Sequence, residues 1–431
     1  MSEAPPPQRR SPRGQGTSPR LAFYGDDFTG SVDVLLQVAR QGWAGRLFTH
    51  LPGPAALAEA ARGCDAVGIA GIARSIPTGR LEAEVRPVLS ALAALEPQVL
   101  QYKACSTADS SPQVGSLGRA LEIGRALRGD QTVPLLFAQP DFGRYTAFGH
   151  HFAREGETVY RLDRQPTMSS HPVTPMDESD LAVHLGRQTD LAVAGLAFPA
   201  YTSADQVTQL IRSSDAAALV LDALGEEHLQ LLGRAVLDLG GFAIGSGGLS
   251  HALASAEPGD AGPVPAATPA RGPVLAVSGS RSAQTRRQID AAARAGWMTA
   301  PVLAAGVREQ ALAALAAGRS VALSSDDADT AGLTPDEILP ALARAAADVV
   351  EAAVRAGVGR VVVCGGDTSS RVTTLLGVES LSIAANPSGN VVLLRAHAPD
   401  PAVDGLELLL KGGQVGEVDL FEQVRTLGSE A

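Results

Sequence analysis

Short apolar runs alternate with amphipathic stretches along most of the chain. The first run is LAFYG at 21–25, and others follow at 66–70, 98–102, 134–138, 191–196 and 216–221. Runs of this length built from Ala, Val, Leu and Ile predict strands buried on both faces. Between them, as at 31–41, 115–127 and 177–188, apolar positions fall three and four apart, which predicts helices with one buried stripe. Strand and helix alternating through short turns imply a mostly parallel sheet covered on both sides.

The rhythm breaks once. Residues 254–272 read ASAEPGDAGPVPAATPARG, with little to bury, and predict an interdomain linker. Alternation then restarts, with strands expected at 274–277, 321–323, 360–364 and 391–395 and helices at 282–295, 307–317, 335–356 and 368–376. The expected fold is α/β, with two lobes, each a mostly parallel sheet flanked by helices. Its divisions are a disordered tail at 1–20, an N-terminal domain at 21–254, a linker at 255–272 and a C-terminal domain at 273–431.

Composition narrows the partners. Aromatics are only 4% of the 431 residues, so the cores must be aliphatic. A net charge of −11 repels nucleic-acid phosphate and anionic lipid, and neither is an expected partner. A small anionic substrate stays compatible, because a pocket can be positive inside a negative envelope. Cys64, Cys105 and Cys364 are odd in number and far apart, which fits neither a disulfide framework nor a zinc site and points to a reducing cytoplasm. No apolar run reaches the roughly 18 residues of a membrane span. The first twenty residues have no apolar core of a secretory signal. A homodimer is left open.

Five segments can carry chemistry, each where a predicted strand runs into a loop or helix. In Gly25-Asp26-Asp27-Phe28-Thr29-Gly30-Ser31, adjacent carboxylates at a strand end can accept substrate hydroxyls, and one can act as a base. The bland alternative is Asp27 as a helix cap and Asp26 as a turn residue. In the segment 102–112, Lys103 with Ser106 and Asp109 can hold a carboxylate and several alcohols; the competing reading is a polar loop with capping serines. The proline-stiffened stretch 161–180 offers Arg161, Arg164 and His171 as a clamp for an acid, or else a rigid connector. In the second lobe Ser278-Gly279-Ser280 and Gly365-Gly366-Asp367-Thr368 are small-residue turns into helices, where free backbone N–H groups bind anions; Asp367 can bind through Mg²⁺. Lys411-Gly412-Gly413 adds a third glycine turn. Three such turns in one small lobe suit a polyphosphate. No GxxxxGK[ST] is present, and no complete GxGxxG follows a strand, which disfavours P-loop and nicotinamide enzymes.

Taken together, GDDFTGS at 25–31, YKACSTADSSP at 102–112, HPVTPMDESDL at 171–181, VSGSRSAQT at 277–285, CGGDTSSRV at 364–372 and LKGG at 410–413 resemble the four-carbon acid sugar kinase family. The resemblance implies an N-terminal lobe for the acid sugar, a C-terminal lobe for ATP with Mg²⁺, and phosphorylation of a terminal hydroxyl of a tetronate or 3-oxo-tetronate. It places Asp26, Asp27 and Lys103 on the substrate side, and Ser278, Ser280, Gly365 to Thr368 and Gly412 on the nucleotide. Asp367 and Ser370 stand where the family commonly has Glu and Gly. The segments 115–120 and 161–170 look more like kinases of branched acids such as 3-oxo-isoapionate. Two rival readings are an oxidoreductase or lyase on the same acid, and a non-catalytic sugar-acid sensor.

Overall fold

The computed structural model describes residues 18–260, 264, 268–270, 272–325, 328, 330, 332–389 and 391–428, without the side chains of Pro335, Asp336, Asp367 and Ser388. All but the last three residues of the expected tail, and part of the expected linker, lie outside these residues.

In the N-terminal lobe the strands are β1 (Leu21–Gly25), β2 (Gly45–Phe48), β3 (Ala66–Ala70), β4 (Val99–Lys103), β5 (Val133–Leu136), β6 (Arg144–Ala147), β7 (His150–Glu155), β8 (Thr158–Arg161), β9 (Val193–Leu196), β10 (Ala218–Leu221) and β11 (Gly241–Gly245). Those of the C-terminal lobe are β12 (Leu275–Ser278), β13 (Met298–Pro301), β14 (Val321–Ser324), β15 (Arg360–Cys364), β16 (Ser380–Ser388), β17 (Val391–His397) and β18 (Glu407–Lys411). Helices fill the connections, as the alternation implied. β6, β7 and β8 stand apart as a small antiparallel sheet.

The first lobe orders its strands β2-β3-β1-β4-β11-β5-β10-β9, all parallel. The second runs β13-β14-β12-β15-β18 in parallel and then adds β17 and β16 antiparallel. β16 and β17 form a hairpin, whose short connection forbids the crossover that parallel pairing needs.

The periodic pattern gave no sign of how the lobes join. β16 pairs antiparallel with β2, Ser380 opposite Phe48 and Leu381 opposite Leu47, so both lobes share one fifteen-stranded sheet. One apolar core follows it across the junction and contains Leu35 and Leu47 with Leu381 and Leu394. The helix Phe28–Arg40 lies on this seam and packs on β1 and β2 as well as β16. It starts three residues before the apolar stripe predicts, because the Asp27 carboxylate caps it by accepting the Gly30 N–H.

Candidate functional site

The carboxyl ends of β1, β3 and β4 lie side by side. From β3 the chain passes across β1 to β4 on its other flank, a crossing that leaves a crevice beyond the strand ends. Asp26 and Asp27 follow β1, Arg74 follows β3 and Lys103 ends β4. The backbone ties them together: Asp26 N–H donates to the Lys103 carbonyl at 3.0 Å, and Arg74 N–H to the Asp26 carbonyl at 3.1 Å.

Arg74 is the hub. Its Nη2 lies 2.8 Å from Asp26 Oδ1, its Nε 3.3 Å from Asp26 Oδ2, and its Nη1 2.8 Å from Asp27 Oδ2. Asp26 is 2% exposed. Burial pushes its carboxyl up from the ordinary value while the Arg74 guanidinium pulls the other way, and the neighbouring carboxylates hold Arg74 firmly charged. Lys103 is equally buried; its Nζ donates to the Ala104 carbonyl at 2.8 Å and lies 2.9 Å from where a Cβ on Gly30 would stand. Two anions therefore face two cations, and the cluster as a whole is neutral.

In the second lobe β12, β15 and β18 are adjacent, so their three glycine turns converge. They fit without slack. A Cβ on Gly279 would stand 2.0 Å from Thr368 Oγ1, and one on Gly413 would stand 2.1 Å from Ser280 Oγ. Gly365 has φ +113, a backbone conformation that suits glycine. Ser278 Oγ accepts from Ser280 N–H, Ser282 Oγ and Thr285 Oγ1 both donate to the Gly413 carbonyl, and buried Lys411 donates to Thr285 Oγ1 at 3.1 Å. Gly366 is different: a Cβ there would meet no protein atom within 4 Å. Its backbone opens the helix Gly366–Leu375, whose cap Gly365 supplies no side-chain acceptor for the first N–H groups.

Between the two clusters lies a cavity of about 250 Å³. Asp27, Lys103 and Ser106 line one side and Lys411 and Gly412 the other, with Asp33 and Gln139 between. Asp109 is turned to its own loop, where it accepts from Thr107 at 2.6 Å. Burial raises the Cys105 thiol above its ordinary value, which suits a packing residue rather than a nucleophile.

Arg161, Arg164 and His171 are not brought to this cavity, and the expected clamp is corrected accordingly. Arg161 is spent on Asp163, two residues away, through two bonds of 2.6 Å; Arg164 has its side chain 74% exposed; His171 bonds Thr174. Local partners satisfied these groups before any distant ligand could. The Asp367 side chain lies outside the described residues. Arg74, Asp33 and Gln139 escaped the sequence reading, and Lys411 entered it only as the start of a glycine turn. Arg74 alone had a usable signal, a polar residue just past a predicted strand end.

Residues 21–253 match the family model described as a sugar-binding N-terminal domain, and residues 275–421 match the nucleotide-binding C-terminal domain. The chain is 38% identical to a 3-oxo-isoapionate kinase of Paraburkholderia graminis, covering 94% of each. It is 31% identical to a 3-oxo-tetronate kinase of Methylobacterium radiotolerans, covering 93% of this chain and 97% of that one. A solved Haemophilus influenzae structure shares the fold, with a TM-score of 0.77 at 22% identity over 94% of this chain and 100% of that one. Fold and site thus define a two-domain carbohydrate kinase. The chain belongs to the four-carbon acid sugar kinase family.

Proposed function

We propose that the protein transfers the γ-phosphoryl group of ATP to the terminal hydroxyl of a 3-oxo acid sugar, with the branched 3-oxo-isoapionate as the first candidate and 3-oxo-tetronates next. The observation that carries this reading is the shared cavity, lined by Asp27, Arg74 and Lys103 of the first lobe and by Lys411 and Gly412, the start of one glycine turn, of the second. Phosphoryl transfer asks the protein for alignment and charge stabilisation rather than covalent chemistry.

In this reading Lys103 holds the substrate carboxylate, and Asp27 and Ser106 hold its hydroxyls. Asp26 keeps Arg74, and through it Asp27, in place. The N–H groups of Gly365 to Thr368, with Ser278 to Ser280 and Gly412, receive the phosphates. Among the described residues no group of three His, Cys, Asp or Glu could cage a metal. That suits Mg²⁺, which keeps few protein ligands and travels on the phosphates. Asp367 and Thr368 are the residues that would meet it, and its chemistry is to neutralise charge on the phosphate oxygens.

The test is ADP release with ATP-Mg²⁺ and a panel of 3-oxo-isoapionate, 3-oxo-tetronates and tetronates. Turnover of the branched acid with the highest kcat/KM is expected. ATP turnover that ignores every acid would sink the reading.

A further inference from the structure

We propose that Asp33, rather than either member of the Asp26–Asp27 pair, takes the proton from the attacking hydroxyl. The assignment rests on the phosphotransfer reading above. Asp27 and Asp33 are the carboxylates that line the cavity among the described residues; Asp26 sits behind it. Both Asp27 oxygens are engaged, Oδ1 by the Gly30 N–H at 2.7 Å and Oδ2 by Arg74 at 2.8 Å. Both oxygens therefore already have protein donors, one of them a guanidinium, which leaves Asp27 little room to take up a substrate proton.

Asp33 is held differently. Its Oδ1 accepts from Gln37 Nε2 at 3.0 Å and its Oδ2 from Gln139 Nε2 at 3.3 Å. Both donors are neutral amides, and among the described residues no cation pairs with it. The carboxylate is oriented without being neutralised, which a general base requires. The fit around it is close: a Cβ on Gly247 would stand 2.0 Å from Asp33 Oδ2.

Position completes the case. On the helix Phe28–Arg40, Asp33 follows Gly30 by three residues and Thr29 by four, so all three share one face. That sets Asp33 three residues, about 4.5 Å, along the axis from Gly30, beside which Lys103 Nζ lies. A four-carbon acid extends about 5 Å from carboxylate carbon to terminal oxygen, given carbon–carbon bonds near 1.5 Å. Anchored on Lys103, the acid shares its cavity with the Asp33 carboxylate, which lies on the same helix face as Gly30. Leu410, Lys411 and Gly412 of the nucleotide lobe line the same space.

The step then balances. The hydroxyl oxygen forms a bond to the γ-phosphorus, the bond to the bridging oxygen breaks, and ADP leaves with that electron pair. The proton passes to Asp33 and later to water.

The test compares wild type, Asp33→Asn and Gly247→Ala as full-length proteins with ATP-Mg²⁺ and 3-oxo-isoapionate. D33N is expected to lose roughly 10²–10⁴ in kcat, with both KM values within about threefold and ATP binding retained by calorimetry. G247A, which displaces the carboxylate without removing it, is expected to lose at least about tenfold in kcat. Wild-type-like kcat in D33N, or a change confined to the KM of the acid, would overturn the assignment. Should D33N fail to fold, unchanged kcat in G247A would overturn it instead. No turnover by the wild type would remove the phosphotransfer reading and this assignment with it.

Discussion

Two residues show how much of this site depends on single groups. A Cβ on Gly366, where the helix Gly366–Leu375 begins, would meet nothing within 4 Å, so a side chain there leaves the fold unstrained and on the proposed reading meets the phosphates instead. Gly366→Val is expected to raise the KM for ATP about tenfold or more, a loss of roughly 1.4 kcal/mol of binding, and to leave the KM for the acid nearly unchanged. Steady-state kinetics with each substrate varied in turn checks this; the reverse ranking would exchange the roles of the lobes. Arg74 is the opposite case, a residue whose loss the protein feels first. Arg74→Met strands Asp26 beside Asp27 without a guanidinium, and a broken buried pair costs about 3–5 kcal/mol. Urea unfolding is expected to show a loss of that order, and a change under about 1 kcal/mol would mean the carboxylates find other partners.

At the scale of elements, the small sheet β6–β8 encloses a histidine that bonds across its own strands. His151 on β7 is fully buried, bonds Thr146 through Nδ1 at 2.9 Å and leaves Nε2 without a partner. Burial lowers its pKa from 6.5 to about 3. The unfolded chain therefore binds a proton below about pH 6.5 that the folded one refuses until about pH 3. Stability is present in full above 6.5 and is lost as pH falls through this window. His397, lowered to about 4 chiefly by burial, adds a slope of the same sign. Thermal melts between pH 7.5 and 4.5 (a range chosen to cover the window) are expected to show falling Tm, and His151→Gln should flatten that fall. An equal slope in the variant would place its origin elsewhere.

For the whole molecule, the continuous sheet changes what the word lobe means. A β16–β2 ladder and a shared core join the sugar side to the nucleotide side, with Arg40 of the seam helix also bonding Asn386. Independent domains unfold separately, whereas a common core couples them. Calorimetry without ligand is expected to give one cooperative transition, moved upward by ATP-Mg²⁺ through mass action. Two resolved transitions would show that the junction carries little energy. Among the described residues no helix is long and apolar enough to cross a membrane.

The sequence by itself determined the local things. Short continuous apolar runs placed the strands and apolar spacings of three and four the helices, since burial on both faces of a strand or on one face of a helix is written in a few neighbouring residues. Glycine turns at strand ends were legible as well, because the conformational freedom of glycine is a property of a few consecutive residues. Asp26, Asp27 and Lys103 were legible for the same reason. The tertiary structure decided what depends on distance through space. Only packing brings Arg74 from β3 to the carboxylates of β1, or sets Gln139 and Gly247 around Asp33. Arg161 pairs with Asp163 only two residues on, and only the fold shows that it does not line the cavity. The edge pairing of β2 with β16 is likewise unwritten in either segment, since any exposed strand edge offers the same row of N–H and C=O groups and the rest of the fold selects which one it meets.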